Sequence, residues 1–510
     1  MKTILSTLSL LLTLSLATAQ VKPTDTSTRG KTPALPEFSL SQAEVTAHLK
    51  FLAADELLGR MTGEQGNNIA ARYIAEQFRQ YGLKEVRGAA GYFQKVPLVK
   101  INPPKEAIIV WDGDTLRQGK DILLLGGDAL TVTASVVFAK NGIVDEKTGR
   151  DDYAGLDVRG KIVVVNLGSA EGADVREAFR LRDSKQKAAA ERGAVALIEL
   201  YNASVAWNFI AQFANRQTMQ LATDEPKMNY IWLNDGSKKY AELVAKSAPT
   251  QISISTSGLL RQSVLSQNVI GIIEGSDARL KDEYILLTAH YDHIGTGIRP
   301  NATDTIFNGA RDNGMGTTAV LAAAKALAQK PPKRSVLFIA LTGEEVGLLG
   351  SQYYAEHPLV PLDKTIFNLN IDGAGYNDTT IVTVIGWERT TAMQDIEAGA
   401  KAFGLGIIKD PVPEQNLFDR SDNVSFAAKG IPAPTFSEGL RSFDAEISKY
   451  YHQAADQADE NFNFSYLRKF CGAYIHAARR IADRPEKPRW VSGDKYESAF
   501  KKLYGEKETK

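Results

Sequence analysis

The sequence predicts an α/β protein, with a mostly parallel mixed sheet sandwiched by helices and a second, β-rich module inserted into the chain. Three observations point there. Between Tyr284 and Asp372 short apolar runs alternate with helical patterns, the signature of strand–helix–strand units. The most apolar of these runs, Ser335–Leu341, is too short for a membrane span and reads as a strand buried on both faces. From about residue 103 to 261 the texture changes to alternating strand patterns, in a stretch that contains no histidine.

Taken in order, residues 1–19 carry one cation, Lys2, then an apolar run and Ala17-Thr18-Ala19, the pattern of a secretory signal cleaved before Gln20. Residues 20–37 are rich in Thr, Lys and Pro without periodicity and are expected to be a disordered leader. Residues 38–102 begin the main domain. A capping box, Ser41 to Glu44, opens a helix near Gln42 that continues through Val45, Leu49 and Leu52. Glu64–Asn68 reads as a turn, followed by a second helix marked by Ile69, Tyr73, Phe78 and Tyr81 and stopped by Gly82.

Residues 103–261 form the insertion, with strands at 107–111, 122–125, 131–138, 162–165 and 194–200 and a helix at 184–192. Residues 262–510 return to the main domain, with strands at 266–275, 284–289, 335–341, 365–371, 381–385 and 433–436. Helices are expected at 317–329, around 350–357 and at 464–482, and the charged tail from Lys501 is expected to fray.

Composition narrows the class of function. Lys plus Arg equals Asp plus Glu at 60 each in 510 residues, so no charge excess directs the chain to nucleic acid or an anionic membrane. After signal cleavage no apolar run reaches the roughly 18 residues of a spanning helix, and no cysteine follows the cleavage site to take a lipid. A secreted or periplasmic protein is expected. Its single cysteine, Cys471, excludes an internal disulfide, so stability must come from core packing and bound metal, with Cys471 itself a core residue of the last helix.

Chemistry concentrates where the buried strands end. His290 and Asp292 follow the strand from Tyr284, Asp312 follows a Gly-rich loop, Glu344 and Glu345 follow Ser335–Leu341, and Asp372 follows Thr365–Ile371; His452 comes later. In open α/β sheets the loops leaving the carboxyl ends of strands line the ligand crevice. Two imidazoles with several carboxylates make a donor set for zinc or a similar divalent ion. With one carboxylate reserved as a general base, His290, Asp312, Glu345, Asp372 and His452 remain. Five donors exceed the three of a usual catalytic zinc and suit two ions sharing one carboxylate and a common water.

These residues stand in the order H-Y-D-H, G-A-R-D-N-G-x-G, T-G-E-E-x-G-L-L-G-S, N-x-D and Y-H-x-x-x-D, preceded by L-A-A-D-E-L-L-G-R-x-T-G. As a set they resemble the M28 family of zinc metallopeptidases. The resemblance implies a zinc-peptidase fold with two zinc ions per chain. It implies that Asp312 bridges them, with His290 and Asp372 on one and Glu345 and His452 on the other. Glu344 would be the general base and Asp292 the group that orients His290; His293 is open between a surface group, a supporting group and a ligand. The family also has a cis peptide after the bridging aspartate, here Asp312–Asn313.

The D-Y-x-G-x-D-V-R-G-K-I-V-V-V and A-A-x-x-G-A-x-A-L-I runs of the insertion resemble the protease-associated domain found in secreted peptidases. In relatives that domain covers or restricts the active site. The implied activity is hydrolysis of peptide substrates, first as an aminopeptidase and alternatively as a carboxypeptidase or dipeptidase. A glutaminyl cyclase and a non-catalytic receptor-like ectodomain are further alternatives of the same architecture. Many relatives have S-D-H where this chain has Ser421-Asp422-Asn423. Arg420 or Arg441 is a candidate to receive a substrate carboxylate.

Overall fold

Every residue of Ser335–Leu341 is buried, and its side chains divide by parity: Val336, Phe338 and Ala340 enter one apolar core, Leu337, Ile339 and Leu341 the other. A strand with no solvated face needs helices on both sides, and the computed structural model, which describes residues 38–170, 174–222, 228–246, 250–298 and 303–505, supplies them. On one face pack the helices Gln42–Leu52, Gln65–Gln80, Gly316–Gln329, Met393–Ala402 and Phe464–Asp483. On the other lie Leu349–Glu356, Asn423–Ala427 and Glu497–Tyr504.

The main sheet has nine strands: β1 (Phe93–Asn102), β2 (Thr218–Leu221), β3 (Leu260–Ile273), β4 (Tyr284–His290), β5 (Ser335–Leu341), β6 (Thr365–Ile371), β7 (Ile381–Ile385), β8 (Gly406–Ile408) and β9 (Thr435–Ser437). Their order is β2-β1-β3-β5-β4-β6-β9-β7-β8. Pairs β5/β4, β4/β6, β6/β9 and β7/β8 are parallel, while β2/β1, β1/β3, β3/β5 and β9/β7 are antiparallel. The sheet is therefore mixed and not mostly parallel. The strand–helix alternation of residues 284–372 describes its centre correctly. What it misses is the long antiparallel ribbon β1/β3, whose two strands stand on either side of residues 103–259 in the chain.

A second sheet of eight strands lies between Ala107 and Thr256, with apolar cores on both faces. Ile162 and Val164 enter one core and Val163 and Val165 the other. One segment of this region, β2, leaves it to form the edge of the main sheet.

Several local expectations shift. Helix Gln42–Leu52 starts where the capping box places it, yet Ser41 makes no side-chain cap and Glu44 bonds Lys325 instead. Residues 65–68, read as a turn, are the first turn of helix Gln65–Gln80, and Lys501–Tyr504 continue a helix instead of fraying. The expected signal and leader lie outside the described residues. Cys471 is buried in helix Phe464–Asp483, as expected. Among the described residues no helix is long and apolar enough to cross a membrane.

Candidate metal centre

Strands β4, β5 and β6 are neighbours, and their registers align His290 with Leu341 and Ala289 with Ile371. The three loops that follow therefore leave the sheet side by side, presenting His290, the Glu344–Glu345 pair and Asp372 at one edge. Gly343 makes the sharp turn after β5 with φ +72°, a conformation that a β-carbon disfavours. Asp312 comes from the turn before helix Gly316–Gln329, and its peptide bond to Asn313 is cis, as the resemblance implied. His452 arrives from beyond helix Ala445–Tyr450, the most distant contribution in sequence.

These side chains meet in two groups. His290 Nε2 lies 3.2 Å from Asp372 Oδ1 and 3.4 Å from Asp312 Oδ1. His452 Nε2 lies 3.2 Å from both Asp312 Oδ2 and Glu345 Oε2. Asp312 thus turns one oxygen to each group. A tetrahedral ion with bonds of about 2.0–2.1 Å separates its donors by about 3.3–3.4 Å, so the observed spacings fit metal coordination. Glu344 belongs to neither group, with Oε2 3.9 Å from His290 Nε2.

Electrostatics point the same way. Burial drives Glu344 well above the usual carboxylate range, and Asp372 and Glu345 push in the same direction against His290. Burial and the nearby Glu345 likewise raise Asp312. Burial opposes charge on His452, but hydrogen bonds with Asp312 and Glu345 outweigh it and hold the imidazole up to about 10. Burial is similarly outweighed at His290, where Glu344 and Asp372 raise the pKa well above its ordinary value. A pocket that crowds four acids and must borrow protons to balance them is one that divalent cations would neutralise.

The supporting shell was only partly legible. The Asp292 carboxylate lies 3.8 Å from His290 Nδ1, which instead contacts the Asp292 carbonyl at 3.2 Å. The carboxylate itself accepts from Thr62 Oγ1 at 2.9 Å and from the backbone N–H groups of Glu344 and Glu345 at 3.3 Å, so it also positions the two glutamates. His293 is fully buried, which excludes a surface role. Its Nδ1 is 2.7 Å from Glu345 Oε1 and 4.0 Å from Asp312 Oδ2, so it pairs with Glu345 and, with Asp312 and Glu345, forms a group that could hold a metal ion.

Three residues carry structure that sequence reading left without a role. Buried Arg60 binds the carbonyls of Tyr291, Leu52, Asn308 and Gly309, tying the end of β4 to the loop before Asp312. Thr62 anchors Asp292. Asp456 accepts from the N–H groups of Arg311 and Asp312 and from the Arg311 guanidinium. The signal was present in the quoted L-A-A-D-E-L-L-G-R-x-T-G and Y-H-x-x-x-D runs, but only coordinates show what these side chains hold. Arg441 is occupied by Asp378 at 2.6 Å, and Asn423 turns inward to the Ala433 carbonyl.

Two cavities flank the acids. A small one of about 90 Å³ is lined by Asp312, Glu344, Glu345, Asp372 and His452 together with apolar walls that include Leu440 and Phe443. A wide one of about 890 Å³ meets it at Glu345 and extends along Met61, Lys100 and residues 216–219, which lead into and begin β2.

Residues 268–474 match the family model for peptidase family M28. The chain is 24% identical over 395 residues to aminopeptidase YwaD of Bacillus subtilis, an alignment covering 74% of this chain and 75% of the relative. It is 27% identical over 431 residues to a probable lipoprotein aminopeptidase, LpqL, of Mycobacterium tuberculosis, covering 80% and 75%. In fold it is similar to an aminopeptidase from Aneurinibacillus sp. strain AM-1, with TM-score 0.53, 20% identity and coverage of 88% of this chain and 95% of that one. The family match spans the stretch that holds β4, β5 and β6 and the two groups able to hold a metal ion, His290 with Asp312 and Asp372 and His293 with Asp312 and Glu345, and the chain is a metallopeptidase that resembles peptidase family M28 over residues 268–474.

Proposed function

We propose that this chain is an exported dinuclear zinc aminopeptidase that removes residues from the N-terminus of peptides. The observation that carries the reading is the division of Asp312, one oxygen toward His290 and Asp372 and the other toward Glu345 and His452. Those five residues would hold two zinc ions, which supply Lewis acidity at a peptide carbonyl and lower the pKa of water. Glu344, kept out of both donor groups and biased by burial toward holding a proton, takes the proton of the attacking water and returns it to the leaving amine. Asp292 and His293 hold the glutamates and imidazoles in register.

Exopeptidase action follows from the unequal cavities. The small one has room for one side chain, while the wide one beside Glu345 accommodates a longer stretch of chain. The relatives from Bacillus subtilis and Mycobacterium tuberculosis are called aminopeptidases, which favours placing the substrate's first residue in the small cavity. The second-sheet region acts as a protease-associated domain in this reading, with Arg216 and Gln217, which lead into β2, forming one wall of the wide cavity together with Thr218 and Met219 of that strand and restricting access to it.

Glu344→Gln tests the assignment. The variant should retain two zinc ions by elemental analysis and lose about 10²–10⁴-fold in hydrolysis of leucine arylamide. Full turnover by the zinc-replete variant removes Glu344 from this role.

A further inference from the structure

The small cavity beside the metal residues is bordered by four carboxylates and, among its described lining residues, by a single lysine or arginine, Arg420. Its neighbours are held firmly. Phe418 is buried under the Arg389 guanidinium at 4.0 Å, Asp419 pairs with Lys495 at 2.7 Å, and Ser421 accepts from Asn370 at 2.8 Å, two residues before Asp372. The turn Leu417–Arg420 is thus fixed on both sides of an exposed guanidinium. Nearby arginines are already neutralised: Arg311 by Asp456, Arg389 by Asp494 and Arg441 by Asp378. Arg420 has no hydrogen-bond or ion-pair partner among the described residues.

We propose that Arg420 is a substrate carboxylate receptor, so that the enzyme selects substrates whose residue in the small cavity carries a carboxylate. A guanidinium offers such a group two parallel charge-assisted hydrogen bonds and offers a neutral side chain far less. The carboxylate comes either from an acidic first residue or from the free end of a short peptide, and both present the same planar acceptor. The inference rests on the hydrolase reading above and names the substrate class of that site. Apolar walls such as Leu440 and Phe443 suit the methylene stem of the residue, and Arg420 suits its charged end.

The test uses the zinc-loaded full chain and Arg420→Gln, checked for zinc content and circular dichroism. Two isosteric substrate pairs separate the sources: glutamyl against glutaminyl arylamide, and an N-blocked dipeptide with a free against an amidated C-terminus. In one pair the wild type should favour the carboxylate form in kcat/KM by about tenfold or more, and Arg420→Gln should reduce that ratio by about tenfold. Arg420→Lys should restore part of it. Calorimetric binding of free glutamate against glutamine to zinc-loaded Glu344→Gln protein, with and without Arg420→Gln, reads the same preference without turnover if the acidic side chain is the source. Selectivity that shifts in the first pair assigns the carboxylate to the first residue. A shift in the second assigns it to the peptide terminus and overturns the aminopeptidase reading while Arg420 keeps its role. Ratios within twofold of the wild type in both pairs overturn the Arg420 inference and leave the hydrolase reading intact. No hydrolysis of any of these substrates or of leucine arylamide by zinc-loaded wild type overturns both.

Discussion

Replacing Asp456 by Asn preserves the shape of the side chain and removes its charge. Asp456 is 1% exposed and Arg311 3%, and their ion pair closes at 3.0 Å. Arg311 also lies 3.7 Å from the centre of the Tyr450 ring, so the guanidinium has nowhere wet to go. Stripping the anion from a buried pair costs about 3–5 kcal/mol, a large share of the about 5–15 kcal/mol that holds a typical protein folded. The same carboxylate accepts the backbone N–H of Asp312 at 3.1 Å, so Asp312 loses that support and zinc affinity should fall by about 10–100-fold. Urea unfolding followed by tryptophan fluorescence, with zinc and with chelator, measures both effects. The transition whose midpoint moves with zinc reports the main sheet. Adding Arg311→Met should recover part of the stability, because no unpaired charge remains, without recovering zinc affinity. An Asp456→Asn protein that loses less than about 1 kcal/mol and holds two zinc ions as tightly as wild type refutes the reasoning.

Zinc loading should be linked to pH. In the metal-free protein His452 is held up to about 10 from an ordinary 6.5, so the stability this contributes is full below about 6.5 and lost as pH rises through 10. A metal must displace that proton, so apparent zinc affinity should rise between about pH 7 and 9, about tenfold per pH unit for each proton displaced. Calorimetry in two buffers of different ionisation enthalpy counts the protons, and a heat independent of buffer contradicts the linkage. In the second-sheet region Lys185 and Glu199 form an ion pair with both side chains fully buried, and Glu199 also accepts from Trp232 at 3.0 Å. Lys185→Met leaves that acid uncompensated and should cost about 3–5 kcal/mol in denaturant unfolding; an unchanged midpoint would show the pair to be dispensable.

His290, Glu345 and Asp372 were legible as candidate donors because each follows an apolar run that reads as a buried strand, whereas Asp312 and His452 follow no such run and stand out only by their motifs. Ser335–Leu341 reads as a doubly buried strand, and the glycine after it marks the turn that brings Glu344 and Glu345 to the sheet edge. The supporting residues were not legible to the same degree. Arg60 acts through four carbonyls spread over residues 52 to 309, and nothing in its local sequence names those partners. The ribbon β1/β3 was missed for a related reason. Local alternation marks a strand but not the direction of its neighbour, and the strands of this ribbon are separated in sequence by the whole second sheet.

By itself the amino-acid order determined which side chains are available for chemistry, which runs must be buried, and that no disulfide can share in holding the fold. Tertiary structure decided how those side chains face one another: that Asp312 divides its oxygens between two imidazoles, that Asp292 holds the glutamate loop as well as approaching His290, and that Arg420 is free where Arg441 is not. The reason is range. Periodicity and turn chemistry act over a few residues, whereas a coordination site is set by distances such as the 3.2 Å from His290 to Asp372 and from His452 to Glu345, between groups that lie far apart along the chain and meet only once the sheet has closed their path.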